Sequence, residues 1–327
     1  MKKIVSFFGE RSEIFIDLNN RAENYARELG FEYKWSVQKP FDEKAVIEEL
    51  KNADAGIIDV EPYDERIFKE INTQTRLLVR FGVGYDNVDL NAASKYGIAI
   101  ARTTGANTSA VAEMALLLIL ATKRKLNINQ QCVRQGNWMK KVGNEIIDGT
   151  VGIVGFGHIG KKLSQILKGF NCRIVSYDPY PDEKAMKEMG VEPVSLEELF
   201  RISDAISIHV PYNDSTHHLV NEKLLSLMKP TAVLVNTARG NIVDEDALYK
   251  ALSERKIAGA GLDVFAAEPL PLDSPLLKLD NIILTPHVSS QTVESLWNIY
   301  KMAIDICNDF FAGKDSPHIL NPDYKIH

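Results

Sequence analysis

The chain has 327 residues, of which 45% are hydrophobic and 25% are charged. These are ordinary values for a globular protein, and the length allows two domains with separate cores. The formal net charge of −6 offers no basic surface, which argues against a nucleic-acid partner. Three widely spaced cysteines, Cys132, Cys172 and Cys307, fit reduced thiols in a cytoplasmic protein better than a disulfide framework or a zinc site.

The apolar stretches are too short for membrane insertion. The N-terminal run IVSFF is cut off by Glu10 and Arg11, so it predicts a first strand rather than a signal peptide. The longest stretch, Ala110–Ala121, is interrupted by Glu113 and is shorter than a bilayer is thick. We therefore expect no membrane partner.

Strands alternate with helices over residues 1–101. The predicted strands are Lys3–Phe8, Phe31–Val37, Ala55–Val60, Leu77–Arg80 and Ile98–Ala101, and the predicted helices are Asn20–Leu29, Glu43–Lys51 and Tyr63–Ile71. This alternation predicts a parallel sheet covered by helices on both faces.

A glycine-rich loop, Arg80–Asp89 (RFGVGYDNVD), directly follows one of these strands. Ligands of open α/β sheets bind outside the carboxyl ends of the strands, so the loop is well placed to bind one. Gly82 and Gly84 would leave N–H groups uncovered, which is a way to hold a carboxylate. The alternative is an ordinary glycine turn in which Asp86 and Asn87 make local hydrogen bonds.

A second series of strands follows a long apolar helix, predicted at Asn107–Lys125, and the segment RQGNW. These strands are Val151–Val154, Arg173–Tyr177, Ala205–Val210, Ala232–Asn236, Gly259–Asp263 and Ile282–Thr285. With their intervening helices they match a doubly wound dinucleotide-binding domain. An amphipathic helix at Gln291–Phe311 would return to the first domain. We therefore predict one α/β domain at 1–101 and 290–327, interrupted by another at 102–289.

The stretch Thr150–Gly160, TVGIVGFGHIG, carries the spacing G-x-G-x-x-G between a strand and a helix. Gly155 allows a tight turn, Gly157 lets a pyrophosphate approach the backbone, and Gly160 lets the helix pack closely on the strand. The helix N-terminus adds free N–H groups for the phosphates. An ordinary glycine turn is the alternative, but the surrounding order of elements favours a dinucleotide. The residues assigned to the cofactor here are Gly155, Gly157, His158, Ile159 and Gly160.

The strand after this helix ends on Asp178, about twenty residues beyond the glycines, where an acid accepts hydrogen bonds from an adenosine ribose. Its negative charge would repel a 2′-phosphate, and Pro179 and Tyr180 supply no arginine to bind one. We therefore predict NAD rather than NADP. A solvated carboxylate at a strand end is the alternative.

Three candidates for the chemistry follow late strands: Arg239 in NTARG, Glu268 in GLDVFAAEP and His287 in TPHVSS. The planar fork of an arginine matches a carboxylate with two hydrogen bonds. A histidine exchanges a proton near neutral pH, and a neighbouring glutamate would fix its tautomer. Hydride transfer with a nicotinamide needs such a proton partner.

Each candidate has a structural alternative. Arg239 would serve equally in an ion pair at an interface, Glu268 as an acid at a helix start, and His287 as a buried, hydrogen-bonded histidine. His158 and His209 compete for the proton-transfer role. We expect His158 to face the phosphates and His209 to lie near the cofactor ribose.

Taken together, these motifs resemble the D-2-hydroxyacid dehydrogenase family, which includes phosphoglycerate, lactate and glyoxylate/hydroxypyruvate enzymes acting on D-isomers. The resemblance runs over nearly the whole chain. It includes GVGYDNVD, NTSAVAE, RQGNW, GIVGFGHIG with Asp178, HVPYNDSTHHLV, NTARG, GLDVFAAEP and TPHVSS. It implies a Rossmann NAD-binding domain inserted in a flavodoxin-like substrate domain, a cleft that closes on binding, and a homodimer built on the NAD-binding domains.

The resemblance also implies an activity, the reversible transfer of a hydride between a D-2-hydroxy acid and its 2-keto acid. In this reading Arg239 binds the substrate carboxylate, Glu268 supports His287, and His287 is the acid and base.

The same resemblance implies further binding residues. Backbone N–H groups of Val83 and Gly84 would hold the substrate carboxylate, and Asp263 would lie near the nicotinamide amide. The other cofactor residues that it implies are Thr108, Val210, Pro211, Thr216, Thr237 and Ala238.

Subfamilies and rival functions differ in particular residues. Formate dehydrogenases of this superfamily carry glutamine before the catalytic histidine, whereas this chain has Pro286. Arg80 would be able to reach a second anionic group, such as a phosphate, so a phosphoglycerate-type substrate stays open.

The rival function from another class is a non-catalytic, dimeric NAD sensor like the corepressor relatives of the family. A methyltransferase is disfavoured by the six-strand pattern.

Overall fold

The protein, described here by a computed structural model that covers residues 1–38 and 40–326, divides into two compact units. The first comprises Met1–Asn107 with Gln291–His327, and the second comprises Thr108–Ser290. The boundaries predicted from the sequence, after residues 101 and 289, fall slightly earlier. Residues 102–107 stay with the first unit, where the Thr103 N–H donates to the Gly82 carbonyl oxygen.

The first unit is a five-stranded parallel sheet with the order β2-β1-β3-β4-β5. This is the flavodoxin-like strand order. The strands are β1 (Lys2–Ser6), β2 (Phe31–Trp35), β3 (Ala55–Ile58), β4 (Leu77–Arg80) and β5 (Ala99–Arg102). The helices are α1 (Glu13–Glu28), α2 (Glu43–Lys51), α3 (Glu65–Ile71), α4 (Leu90–Lys95) and α12 (Val293–Phe311).

The last helix, α12, joins the core of the first unit because one of its faces is apolar. Ile299, Tyr300 and Ala303 are buried in the same hydrophobic cluster as Leu18 of α1 and Ile4 of β1. Burying such side chains contributes about 1.5–3 kcal/mol for each large one. The chain thus enters and leaves the second unit from one continuous core.

The second unit is a seven-stranded parallel sheet with the order β12-β11-β10-β9-β6-β7-β8. Apart from one additional edge strand, this is the Rossmann order. The strands are β6 (Thr150–Val154), β7 (Arg173–Tyr177), β8 (Glu192–Pro193), β9 (Ala205–Ile208), β10 (Val233–Asn236), β11 (Gly259–Leu262) and β12 (Ile282–Leu284). The helices are α5 (Thr108–Lys123), α6 (Leu126–Arg134), α7 (His158–Leu167), α8 (Glu183–Met189), α9 (Leu196–Ile202), α10 (Glu222–Leu227) and α11 (Glu245–Ser253).

The sheet order places the predicted motifs at one edge. The order reverses between β6 and β9, so the glycine stretch after β6 lies beside the segment after β9, at the point where such sheets bind their ligands. The loops after β10, β11 and β12 begin at the same edge, because these neighbouring strands are parallel.

Several predicted element boundaries were wrong. The helix predicted at Asn107–Lys125 corresponds to α5 (Thr108–Lys123), but α6, which begins directly after the left-handed Lys125 (φ +51°), was not predicted. Helix α1 begins at Glu13 rather than at Asn20. The short elements α4 and β8 were not predicted. Within the described part of the chain, no helix has the length and apolar character needed to cross a bilayer.

Candidate active site

Glu268 and His287 form a hydrogen-bonded pair at the carboxyl edge of the second unit's sheet. They follow the neighbouring strands β11 and β12, and His287 Nδ1 lies 2.8 Å from Glu268 Oε2. The other carboxylate oxygen, Oε1, accepts from the Phe265 N–H at 3.0 Å. Each side chain keeps more than a third of its surface exposed, at 40% for His287 and 37% for Glu268. The pair is therefore held in place and remains accessible to a small molecule.

The electrostatics of the pair keep Glu268 ionised. Burial raises the pKa of its carboxyl group, but the hydrogen bonds from His287 and from the Phe265 N–H outweigh this effect. The positive charges of His287 and Arg239 act in the same direction, so the pKa of Glu268 lies below its usual value. A carboxylate at Oε2 assigns the Nδ1 proton to the imidazole. Among the described residues His287 Nε2 has no hydrogen-bond partner, so it is free for a substrate oxygen.

Arg239 lies after β10, the strand next to β11, where its charge reaches Glu268. Its turn is held by Asn236, whose Oδ1 accepts from the Ala238 N–H at 3.0 Å and whose Nδ2 donates to the Arg239 carbonyl at 2.8 Å. Asn236, which is 1% exposed, was missed from the sequence although it begins the NTARG motif. The structure thus brings the three candidates for the chemistry together within one unit.

The glycine stretch has the geometry that a dinucleotide requires. Gly155 has φ +99°, and a Cβ placed on it would lie 2.8 Å from the backbone of His209 and Val210. A Cβ on Gly160 would lie 2.3 Å from the Gly155 carbonyl oxygen. At Gly157 no atom lies within 4 Å of that position, so the backbone is open to a pyrophosphate. This glycine lies just before His158, the first residue of α7.

Asp178 is tied to the glycine stretch. Its Oδ2 accepts from the Phe156 N–H at 2.7 Å and its Oδ1 accepts from the Tyr180 N–H at 2.8 Å. Accepting these two bonds leaves lone pairs for the hydroxyls of a ribose. The carboxylate therefore fits NAD and is held at the end of β7 by the backbone around it.

The remaining predicted cofactor residues are placed differently from one another. Thr237 is 8% exposed, and its hydroxyl has no hydrogen-bond partner among the described residues. The hydroxyl of Thr216 is used locally, since it donates to the Pro211 carbonyl at 2.8 Å. Val210 is buried beside Gly155, and Thr108 is the first residue of α5. The Thr237 hydroxyl is therefore buried without a hydrogen bond in the part of the chain that the structure describes.

His209, a competitor for the proton-transfer role, is held neutral. Its Nε2 lies 2.9 Å from the Ser207 hydroxyl, and its Nδ1 is shielded from solvent with no partner among the described residues. Burial lowers the pKa of His209 to about 3. A histidine with such a pKa is a neutral imidazole near neutral pH, so it is not the imidazolium acid that proton donation requires. His158, the other competitor, is exposed at the start of α7.

Asp263 is the least accessible of the predicted site residues, with 0% exposure. Its carboxylate accepts from the Thr285 hydroxyl at 2.6 Å and the Val288 N–H at 2.9 Å. It also accepts from the N–H of Ser289 at 2.8 Å and from the hydroxyl of Ser289 at 2.5 Å. The sequence did not reveal these contacts. That Asp263 lies near the nicotinamide stays a prediction.

In the first unit, the loop after β4 was expected to offer the N–H groups of Gly82 and Gly84. The expectation was wrong for Gly82, whose N–H donates to the Thr103 hydroxyl at 2.9 Å. By contrast, the N–H groups of Val83 and Gly84 have no hydrogen-bond partner among the described residues. Gly82 itself takes φ +125°, a backbone conformation that favours glycine.

Arg80 lies beneath this loop. It is 8% exposed, and its Nη1 donates to the Phe81 carbonyl oxygen. A Cβ on Gly82 would lie 3.4 Å from the same nitrogen. The guanidinium therefore supports the loop from inside the unit, and its predicted contact with a phosphate stays a prediction.

Comparison with known proteins now identifies the fold's relatives. Residues 116–289 match the model of the NAD-binding domain of D-isomer-specific 2-hydroxyacid dehydrogenases. The glyoxylate reductase of Korarchaeum cryptofilum is 40% identical over 296 residues, which cover 88% of this chain and 89% of that relative. The chain belongs to the D-isomer-specific 2-hydroxyacid dehydrogenase family.

Further relatives of this dehydrogenase agree. The glyoxylate reductase of Pyrococcus furiosus is 38% identical over 299 residues, which cover 88% of each chain. The structure of D-2-hydroxyisocaproate dehydrogenase superposes with a TM-score of 0.85 at 28% identity, covering 98% of this chain and 100% of that one. The predicted family, fold class, NAD cofactor and oxidoreductase activity on 2-hydroxy acids are confirmed. A non-catalytic sensor is not favoured, because these relatives are enzymes.

Among the residues that the structure describes, no three His, Cys, Asp or Glu side chains are grouped so as to hold a metal ion.

Proposed function

We propose that the dehydrogenase reduces small 2-keto acids, glyoxylate and hydroxypyruvate first among them, with His287 as the proton donor. The roles of His287 as proton donor and of Glu268 as its support are inferred from the 2.8 Å contact between His287 Nδ1 and Glu268 Oε2. It fixes one ring nitrogen and leaves Nε2 for the substrate. The preference for glyoxylate is supported by the two glyoxylate reductases to which the chain is most similar among the relatives described above.

His287 moves the proton. The bound cofactor would supply the hydride as NADH in reduction and would accept it as NAD in oxidation. In reduction, Nε2 gives its proton to the substrate's carbonyl oxygen, which becomes the hydroxyl of the product. In oxidation, Nε2 takes that hydroxyl proton, and the Glu268 carboxylate stabilises the imidazolium that results. Hydride and proton together account for the two hydrogens exchanged.

Two separate features would bind a carboxylate. The Arg239 guanidinium presents a planar pair of donors, and its positive charge already acts on Glu268. The N–H groups of Val83 and Gly84 form a pair of successive backbone donors, which suits a carboxylate oxygen. The buried position of Arg80 supports a role in holding their loop, so we place phosphate-bearing substrates after glyoxylate and hydroxypyruvate.

The test is kinetic. NADH oxidation would be followed with glyoxylate, hydroxypyruvate, pyruvate, 2-ketoisocaproate and phosphohydroxypyruvate. We expect the highest kcat/KM with glyoxylate or hydroxypyruvate, and a loss of turnover of at least ~100-fold in His287→Gln with NADH binding kept. His318→Gln, which replaces a histidine of the other unit, is the control. Near-normal turnover in His287→Gln would remove His287 from the mechanism, and no turnover of any 2-keto acid would remove the proposed substrate class.

A homodimer is the assembly that we infer. Large apolar side chains are exposed in one sequence region of the second unit, namely Leu117, Leu126, Val133, Trp138, Met139, Val142 and Ile147. Exposed apolar side chains that form a patch mark association sites. Light scattering should give twice the chain mass of 36.6 kDa, and Val142→Lys should lower the measured mass.

The free thiols of Cys132, Cys172 and Cys307 support the cytoplasm as the location of the protein.

A further inference from the structure

A cavity of about 370 Å³ lies in the second unit, away from the Glu268–His287 pair. Its lining includes residues that come just before strands, namely Thr231 before β10, Ala258 before β11 and Asn281 before β12. The Glu268–His287 pair instead follows strands of the same parallel sheet. The cavity therefore opens at the amino edge of the sheet, opposite the candidate active site. Its volume falls within the roughly 300–1,000 Å³ that small-molecule sites occupy.

The charged side chains that line this cavity are mostly positive. They are Lys125, Lys141, Arg255 and a single acid, Asp280. Arg255 is paired, because its Nη2 lies 2.6 Å from Asp280 Oδ1. Lys125 and Lys141 make no ion pair among the described residues. In a chain whose formal net charge is −6, two unpaired cations at one cavity make a local site that attracts an anion.

Helix α6 begins at the same cavity and adds backbone donors. The N–H groups of its first three residues, Leu126, Asn127 and Ile128, have no hydrogen-bond partner among the described residues, and no side chain caps them. Asn127 and Ile128 are themselves part of the cavity lining. A helix N-terminus carries a partial positive charge, and its free N–H groups bind phosphate oxygens. The backbone and the two lysines thus favour the same kind of ligand.

The floor of the cavity contains a polar atom that needs a donor. Asn281 is 7% exposed, and its Nδ2 donates to the Leu252 carbonyl at 3.2 Å. Its Oδ1 has no hydrogen-bond partner within the described chain. A buried acceptor without a partner is costly, and a hydroxyl group that enters beside Asn281 would supply the donor.

We propose that this cavity is a second ligand site, which binds a small organic phosphate monoester that carries hydroxyl groups. The phosphate would bind at the start of α6 with Lys125 and Lys141, and a hydroxyl would reach Asn281. The proposal does not depend on the role of His287, because the two sites lie at opposite edges of the sheet.

Binding is measured by calorimetry with glycerol 3-phosphate, on enzyme saturated with NADH so that the glycine stretch is occupied. We expect one saturable site per chain. Binding should weaken with added salt, and also below about pH 6, where the monoester takes up its second proton. Glycerol should not bind. Methyl phosphate, which lacks hydroxyl groups, should bind about fivefold more weakly than glycerol 3-phosphate.

Variants of the two lysines test the site directly. Lys141→Gln removes one unpaired charge from an exposed position and should raise the dissociation constant at least ~10-fold. Lys125→Asn should have a similar effect, and asparagine tolerates the φ of +51° at this position. Lys187→Gln, in the last turn of α8, is the control and should bind as the native protein does. In all three variants the turnover of 2-keto acids without added phosphate should stay native.

The proposal is overturned if glycerol 3-phosphate does not bind the NADH-saturated enzyme, or if Lys187→Gln weakens binding as much as Lys141→Gln. A second copy of the chain is the other possible occupant, since Leu126 and Val142 of the proposed dimer surface adjoin Lys125 and Lys141 in the sequence. In that case no phosphate would bind, and Lys141→Gln would lower the mass measured by light scattering. Equal affinities for glycerol 3-phosphate and methyl phosphate would remove Asn281 from the site.

Discussion

Two loops of the molecule present hydrogen-bonding groups at the ends of parallel strands, and they do so by opposite means. After β4, Gly82 takes φ +125°, and the N–H groups of Val83 and Gly84 that follow it have no hydrogen-bond partner among the described residues. After β12, His287 itself takes φ +54°. Glycine reaches such conformations at little steric cost, whereas any other L-residue is disfavoured there by about 1–2 kcal/mol.

The difference follows from what each loop offers. A loop that binds through backbone donors needs only a residue without a side chain at the bend. A loop that binds through an imidazole must keep a large side chain at the bend, so it requires support from elsewhere. In this protein Asp263 supplies that support from the neighbouring strand.

The largest expected effect separates the ring from the turn. Asparagine tolerates the left-handed region better than most residues. We therefore expect His287→Asn to keep the free energy of unfolding within about 0.5–1 kcal/mol while kcat falls at least ~100-fold. Chemical denaturation and steady-state kinetics measure the two quantities. A variant that unfolds as it loses activity would show that the ring, and not the anchored turn, holds this loop.

The next largest effect concerns the partner of the ring. The hydrogen bond and the charge of His287 lower the pKa of the Glu268 carboxyl group, so the carboxylate is present to hold Nδ1 and to stabilise the imidazolium. Glu268→Gln removes this support, and the rate of keto-acid reduction at neutral pH should fall about tenfold. The part of the acid limb of the pH profile that the Glu268 carboxyl group sets should also be lost.

The sign of this pH effect can be checked in the native protein. The pKa of Glu268 lies below its usual 4.5, so its carboxylate is retained as the pH falls to that value and is lost only below it. Glu222→Gln removes a carboxylate from a surface pair with Lys250 and should leave the profile unchanged. An unchanged profile in Glu268→Gln would contradict the coupling.

A smaller effect is expected in the glycine loop. Gly82→Ala places a side chain at φ +125° and 3.4 Å from Arg80 Nη1, which should shift the two N–H groups. We expect KM for the keto acid to rise about tenfold, with NADH affinity unchanged. Gly30→Ala is the matched control, because Gly30 also has a positive φ (+84°) but has no atom within 4 Å. Equal KM values in both variants would show that the loop does not bind substrate.

The last effect lies outside both loops and concerns stability instead of turnover. Since the folded pKa of His209 is about 3, the unfolded chain alone takes up this proton below about pH 6.5. The contribution is complete above pH 6.5 and falls by up to about 1.4 kcal/mol per unit as the pH drops toward 3. His209→Asn should show a shallower fall between pH 8 and pH 5 than the native protein. The exposed His217→Gln should keep the native slope.

Much of the fold followed from local patterns. Apolar β-branched runs such as Ile57–Ile58 and Val233–Val235 are fully buried strands, and each ends within two residues of its predicted end. The dinucleotide-binding role of the glycine stretch could be predicted because it depends on residues that are adjacent in the sequence. Lys125, in contrast, precedes α6 in a left-handed conformation that a lysine does not signal.

The candidate site was predictable only in part, for a physical reason. Arg239, Glu268 and His287 could be placed because each follows a recognisable strand. The pairing of the Gly82 N–H with Thr103 and the bonds of Asp263 join residues more than twenty positions apart. No local pattern reports such contacts, so the supports of the site became visible only in three dimensions.

One consequence of the contacts of Asp178 concerns the redesign of cofactor preference. The carboxylate that disfavours a 2′-phosphate also accepts the Phe156 and Tyr180 N–H groups. Replacing it by serine or arginine to admit NADP would release the turn over which the pyrophosphate must lie. A successful conversion therefore requires a second substitution that restores an acceptor for the Phe156 amide.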